Sequence, residues 1–150
     1  MTNGTTIHGQ LILQLQSDRW STKIREQAWP YKLNWVVDEE GVMEAATKWP
    51  GSVALVEFQT IAQIRECKRF AKRINSPYDL RWIAVGDRSI LGWETLLTAV
   101  GFTATFWSTT QAERIGQPAN QHFSRSQLRT SLALEDRIQL ELPWKPNQYS

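Results

Sequence analysis

The chain is short of the residues that most metal and redox chemistry needs. Its one cysteine, Cys67, cannot form an internal disulfide, and two histidines, His8 and His122, make no Cys/His set for zinc. Charge of one sign is scarce as well. Seventeen Lys and Arg against fifteen Asp and Glu leave a formal charge of +2, so nucleic acid could be met only through a local patch. No apolar run approaches the roughly 20 residues that span a bilayer. Residues 1–10 hold no basic segment followed by an apolar stretch, which predicts no signal peptide and a cytoplasmic protein. Internal repeats, low-complexity tracts and linkers are absent from 11–142. No Gly-x-Ser-x-Gly elbow or other catalytic motif is present, and the chain shows no cofactor or metal signature.

What the chain has in plenty is tryptophan: eight in 150 residues, several of which must lie in or beside the core. Hydrophobic residues at 41% and charged residues at 21% suit one soluble globular domain with a sizeable core. The pattern is clearest from Gly51 to Ser108. Ser52-Val-Ala-Leu-Val-Glu-Phe58 is too short for a helix and rich in Val, and a helical pattern follows from Thr60 to about Asn75. Leu80-Arg-Trp-Ile-Ala-Val-Gly86 reads as a strand, then a helix runs to Gly101, and Phe102-Thr-Ala-Thr-Phe-Trp-Ser108 is another strand. Strand, helix, strand, helix, strand is the signature of βαβ units in a parallel sheet.

Two more such units precede this stretch. Leu11–Gln16 reads as the first strand, with Ser17 or Asp18 capping a helix on which Trp20, Ile24 and Ala28 recur, and Pro30 ends it. Tyr31–Val37 reads as the second strand. Asp38 is placed to cap a helix whose apolar face is Val42, Ala45, Ala46 and Trp49. In the third helix Ile61, Ile64, Cys67, Ala71 and Ile74 are expected to face the sheet, and Trp93, Leu96, Leu97 and Val100 in the fourth. Gly101 suits the left-handed residue past that fourth helix. Ala112, Ile115, Ala119 and Phe123 suggest a fifth helix, broken near Gly116 and Pro118. Residues 131–142 fit either an extra helix (Leu134, Ile138, Leu142) or a strand, with helix preferred. The expectation is a doubly wound α/β sandwich of three layers with a five-stranded parallel sheet of order 2-1-3-4-5. The organisation read is a flexible N-terminus over 1–10, an α/β domain over 11–126, and a helical extension with a loose tail over 127–150.

That succession of elements over residues 10–126 resembles the receiver domain of bacterial response regulators, a CheY-like, flavodoxin-like fold. The resemblance implies an acidic pair after the first strand to hold Mg²⁺ and a phosphorylated Asp ending the third. It implies further a Ser or Thr ending the fourth strand and a Lys ending the fifth. This chain has Ser17 and Asp18, then Glu57 or Phe58, then Gly86 or Asp87, then Trp107 or Ser108 at those places. Asp18 alone matches. One carboxylate makes a poor Mg²⁺ site, and without the Lys nothing balances an added phosphoryl charge. The resemblance therefore implies a degenerate pseudo-receiver.

Asp18, Glu57 and Asp87 are expected to converge at the carboxyl edge of the sheet, where they could bind a divalent metal or do acid–base work. The competing reading makes both Asp residues helix caps and leaves Glu57 solvated. Arg65, Lys68, Arg69, Lys72 and Arg73 form a basic stripe on the third helix, able to meet phosphates or, more simply, a solvated face. No helix-turn-helix pattern accompanies it, and nucleic acid is not the expected partner. Trp82, Trp93 and Trp107 come from the fourth and fifth units, which in receiver-like proteins form the usual contact surface. Trp93, Trp107, Leu134, Ile138 and Leu142 are thus a candidate surface for another protein, with core filling as the alternative for the rings. Trp20 and Trp107 could instead flank a flavin. The loop Ser17–Thr22 has hydroxyls for such a phosphate but no Gly, and Asp18 would repel it. The function expected is a non-catalytic, receiver-like signalling or regulatory domain acting through protein–protein contact. The alternative is a small enzyme or a flavin- or nucleotide-binding carrier using the carboxyl edge.

Overall fold

A computed structural model describes residues 9–67, 69, 71 and 78–126. The strands are β1 (Leu11–Gln14), β2 (Leu33–Trp35), β3 (Val53–Phe58), β4 (Arg81–Gly86) and β5 (Phe102–Phe106). All neighbours pair parallel, in the order β2-β1-β3-β4-β5. This is the doubly wound, flavodoxin-like sheet that the alternating pattern predicts. The helices are α1 (Asp18–Glu26), α2 (Glu39–Lys48), α3 (Ile61–Arg65), α4 (Glu94–Val100) and α5 (116–126). A 3₁₀ turn over Arg88–Trp93 leads into α4, and another over Thr109–Ile115 leads into α5. The fifth helical segment is thus in two pieces, as Gly116 and Pro118 imply. Residues 131–142, with Leu134, Ile138 and Leu142, lie outside the described residues. Among those described, no helix is long and apolar enough to cross a membrane.

Strand side chains alternate between two apolar layers because a strand repeats every two residues. Ile12, Ala54, Val56, Phe58, Trp82 and Ala84 pack with α2, α3 and α4 on one face. Leu11, Leu13, Val53, Leu55, Ile83 and Val85 pack with α1 and α5 on the other. β3 is buried along its whole length, as expected of a central parallel strand covered on both sides.

β5 breaks the alternation. Trp82 is opposite Phe102, but Ile83 is opposite Ala104, so Thr103 is an extra residue in the pairing. Such a bulge moves everything after it to the other face. Phe102 accordingly lies in the α2–α4 layer, while Ala104 and Phe106 pack in the α1–α5 layer. The Thr103 hydroxyl donates to the Trp82 carbonyl (3.2 Å) at this point.

Several boundaries differ from the sequence reading, each for a local reason. Gly9 and Gln10, assigned to the flexible N-terminus, are buried. The Gln10 amide donates to Ser52 Oγ (2.9 Å), and its side-chain oxygen accepts from Asn34 Nδ2 (3.0 Å). α1 ends at Glu26, before Pro30, leaving Ala28 exposed. Trp49 is the C-cap of α2 and is 39% exposed, so the face of that helix is Val42, Ala45 and Ala46 alone. Ile61 opens α3 and is 43% exposed, while Ile64 and Cys67 are fully buried. Gly101 does take the left-handed conformation after α4 (φ +116°), a backbone shape that glycine adopts without strain.

Tyr31 is buried between Trp29 and Phe123. Among the described residues its hydroxyl has no hydrogen-bond partner, and burial pushes the phenol pKa up to about 12. In the unfolded chain the phenol titrates near 10. With the folded value raised, the stabilisation is complete below about pH 10 and is lost as pH rises through 12, roughly 2 kcal/mol in all. Tyr31→Phe should remove that alkaline loss and leave stability at pH 7 unchanged or higher by about 1 kcal/mol, since a buried unsatisfied hydroxyl is deleted. Urea unfolding of both proteins at pH 7 and pH 11 checks this. A phenylalanine variant with the same alkaline slope as wild type would contradict it.

Candidate functional site

The carboxyl ends of the parallel strands and the loops that leave them form one edge of the molecule. Glu57 sits at its centre. It follows Val53 and Leu55 on the α1 side of β3, and it is 4% exposed rather than solvated. Its Oε1 accepts two backbone hydrogen bonds, from Gln16 N–H (2.7 Å) and Ser17 N–H (2.9 Å). The carboxylate thereby ties the β1–α1 loop to the end of β3. The β3–α3 loop is tied in as well. Thr60 and Gln63 form a reciprocal cap at the start of α3, and Gln63 Nε2 donates to Gln16 Oε1 (3.2 Å).

The remaining polar groups at the strand ends are occupied in similar ways. Ser17, not Asp18, is the N-cap of α1 and accepts from Trp20 N–H (3.3 Å). Asp87 caps the 3₁₀ turn after β4, accepting from Ser89 N–H (2.7 Å). The Ser89 hydroxyl and then its amide hold the Asp87 carboxyl below its usual range, with Arg19 adding to the effect. Ser108 caps the turn after β5, and Gln111 Oε1 accepts in return from Ser108 N–H (3.2 Å) and Trp107 N–H (3.1 Å).

Two shallow clefts flank Glu57. One, of about 280 Å³, is lined by Ser17, Arg19, Trp20, Glu57, Phe58, Gln59, Gly86 and Asp87. The other, of about 150 Å³, reaches toward α2 and α3 past Gln14, Gln16, Glu39, Gln63, Glu66 and Arg69. Both fall below the roughly 300 Å³ at which pockets for small organic ligands begin. Trp20 closes the larger cleft from one side: its Nε1 donates to the Gly86 carbonyl (3.0 Å), and its ring is 3% exposed.

Of the three carboxylates expected together, Glu57 and Asp87 share a cleft, with Arg19 on the first turn of α1 as a counter-charge to Asp87. Asp18 is exposed on the first turn of α1 and does not line either cleft. Among the described residues no three His, Cys, Asp or Glu side chains come close enough to hold a metal ion. Trp20 and Trp107 cannot sandwich one flavin ring, because they pack in the layers on opposite faces of the sheet.

On α3 and beyond, Arg65 and Arg69 are exposed, and Arg69 pairs with Glu66 (2.6 Å) and Glu39 (3.8 Å). Of the two stripe residues described, Arg69 is therefore answered by acids within the molecule. Lys68, Lys72 and Arg73 lie outside the described residues. On the α4 side, Trp93, Leu96 and Trp107 are half-buried against the α2–α4 layer, and Leu91 beside them is 47% exposed. Trp82 is wholly core. Sequence reasoning missed Arg19, Gln16, Gln63 and Leu91. The Thr60-x-x-Gln63 spacing was a usable sign for one of them, since it is a capping box. Set against family models, curated proteins and solved structures, the chain gives no match in any of the three comparisons.

Proposed function

We propose that this chain is a receiver-like signalling or regulatory domain, a pseudo-receiver of the bacterial response-regulator type, that acts in the cytoplasm by contacting another protein. The reading rests on one observation. At the carboxyl edge the polar side chains that could do chemistry are spent on backbone: Ser17, Asp87 and Ser108 cap the segments that follow them, and Glu57 accepts two loop amides. A carboxylate oxygen fixed by two N–H donors serves as a structural acceptor and is poorly placed to attack a phosphorus atom. What the fold offers instead is the apolar surface of Leu91, Trp93, Leu96 and Trp107. Half-buried tryptophans beside an exposed leucine suit the centre of a protein contact, where Trp carries a disproportionate share of the binding energy.

Photo-crosslinking in the source cell tests this surface. A photoreactive residue at Leu91 should trap a defined partner, and Trp107→Ala in the same chain should reduce that adduct at least tenfold. An equal yield with and without Trp107, or no adduct at all, would remove the surface from the proposal. The competing carrier reading has its own signature. A purified chain bearing flavin absorbance would move the function to the edge clefts.

A further inference from the structure

Glu57 is a buried carboxylate without a counter-cation. It is 4% exposed, and among the described residues no Lys or Arg comes within ion-pair distance of it. Both loop amides bind the same oxygen, Oε1. The other oxygen, Oε2, accepts no hydrogen bond among the described residues, yet it is not sealed from solvent. Glu57 lies on the α1 side of β3, as do Ser17, Arg19 and Trp20, so Oε2 opens into the larger cleft that these residues line.

Buried charges are ordinarily paired with an opposite charge or bound to a metal. The second carboxylate of this cleft is Asp87, whose pKa is held below the usual range and which is ionised at neutral pH. Arg19 is exposed on the rim and forms an ion pair with neither acid. Two carboxylates against one arginine leave the cleft net negative.

Charge and size together select the occupant. A metal ion fits poorly, because among the described residues no third His, Cys, Asp or Glu completes a ligand set. A volume of about 280 Å³ is small for a whole organic ligand but ample for the end of one side chain. An ammonium or guanidinium head fits both limits, and its N–H donors can serve Glu57 Oε2 and Asp87 together. The cleft also continues into the apolar surface. Asp87 caps the turn Arg88–Trp93, and Leu91 stands about 8 Å further along it. A partner seated on Leu91 and Trp93 therefore lies beside the cleft. We propose that the Glu57–Asp87 cleft receives a lysine or arginine side chain of the partner protein, which supplies the counter-cation that Glu57 lacks. This inference rests on the contact surface proposed above and states what the partner must carry.

Titration of the purified chain with n-butylammonium and with methylguanidinium chloride, followed by ¹⁵N–¹H NMR, tests the cleft by itself. At least one probe should shift the Gln16 and Ser17 amides and the Trp20 indole N–H saturably, with a Kd of about 1–10 mM. KCl at matched ionic strength should not. Glu57→Gln keeps an acceptor for both amides, and Asp87→Asn keeps a cap; each should weaken binding about tenfold. Shifts that do not saturate, or an affinity that either substitution leaves unchanged, overturn the cleft as a cation site. So does Mg²⁺ producing the same shifts at lower concentration, which would make it a metal site. The source of the cation is read separately, in the Leu91 crosslinking. There Glu57→Gln should reduce the adduct about tenfold with an unchanged circular dichroism spectrum. Probe binding together with an undiminished adduct would overturn a partner side chain as the source. A wild-type chain that gives no Leu91 adduct would strike the apolar surface, and the partner with it, while the probe titration still decides the cleft.

Discussion

Glu57→Ala should lower the free energy of unfolding by about 3 kcal/mol. The side chain is buried, and its Oε1 is the acceptor for two loop amides at 2.7 and 2.9 Å. Hydrogen bonds to a charged group contribute about 1.5–3 kcal/mol each, and a buried donor left without its acceptor costs a further 1–3 kcal/mol. The full sum is not expected. Truncation enlarges the two clefts that flank the residue, and water entering them would satisfy part of the Gln16 and Ser17 amides. Glu57→Gln keeps an oxygen in the same place and should cost only about 1 kcal/mol. Urea midpoints of the three proteins measure both values. If alanine and glutamine cost the same, the amide contacts are not what Glu57 contributes.

Trp82→Ala should cost more, about 4 kcal/mol, the range for an aromatic residue removed from a close-packed core. Trp82 lies on β4 between two neighbouring strands and has no exposed surface. Its ring meets Phe102 edge to face (centroids 6.0 Å apart), and Phe102 in turn meets Phe58 (5.6 Å). These rings fill the layer under α3 and α4. Trp82 is also the last residue in regular register with β5 before the Thr103 bulge. A cavity there loosens the pairing that turns Phe106 to the opposite face. Trp82→Phe keeps an aromatic edge for Phe102 and should recover more than half of the loss. Thermal unfolding followed by near-ultraviolet circular dichroism would show whether the aromatic layer stays ordered. An alanine variant within 1 kcal/mol of wild type would mean that this layer repacks freely, against the geometry described.

The sheet order was legible because its signals are local and repeated. Short Val-rich runs alternate with 3.6-residue patterns, and Pro or Gly separates them at Pro30, Pro50-Gly51 and Gly101. The edge of the sheet was less legible, because its state depends on contacts between distant segments. Glu57 reads as a charged residue at a strand end, where solvent is the ordinary surrounding. Gln16 and Ser17, some 40 residues earlier, supply the donors that let it be buried. The Thr103 bulge left no mark in the sequence: Phe102, Ala104 and Phe106 look like one face of a regular strand, and only the pairing with β4 separates them. Trp49 and Ile61 fit their helical stripes by spacing but fall at helix ends, where the stripe has passed beyond the sheet. Of the site, Asp87 was placed in a carboxylate cluster with capping as the competing reading, and it caps the turn after β4; at α1, where Ser17 or Asp18 could cap, the role is Ser17's and Asp18 is on the surface.

The central claim is that this doubly wound sheet carries a carboxyl edge devoted to holding its own loops. Its most direct test is phosphoryl transfer. The chain should be incubated with acetyl phosphate and Mg²⁺, and its intact mass measured before hydrolysis of any acyl phosphate. With Glu57 held by two amides and Trp107 and Ser108 ending the fifth unit where receivers place Lys, no species heavier by one phosphoryl group should appear. A stoichiometric gain of that mass, mapped to Glu57 or Asp18, would contradict the account.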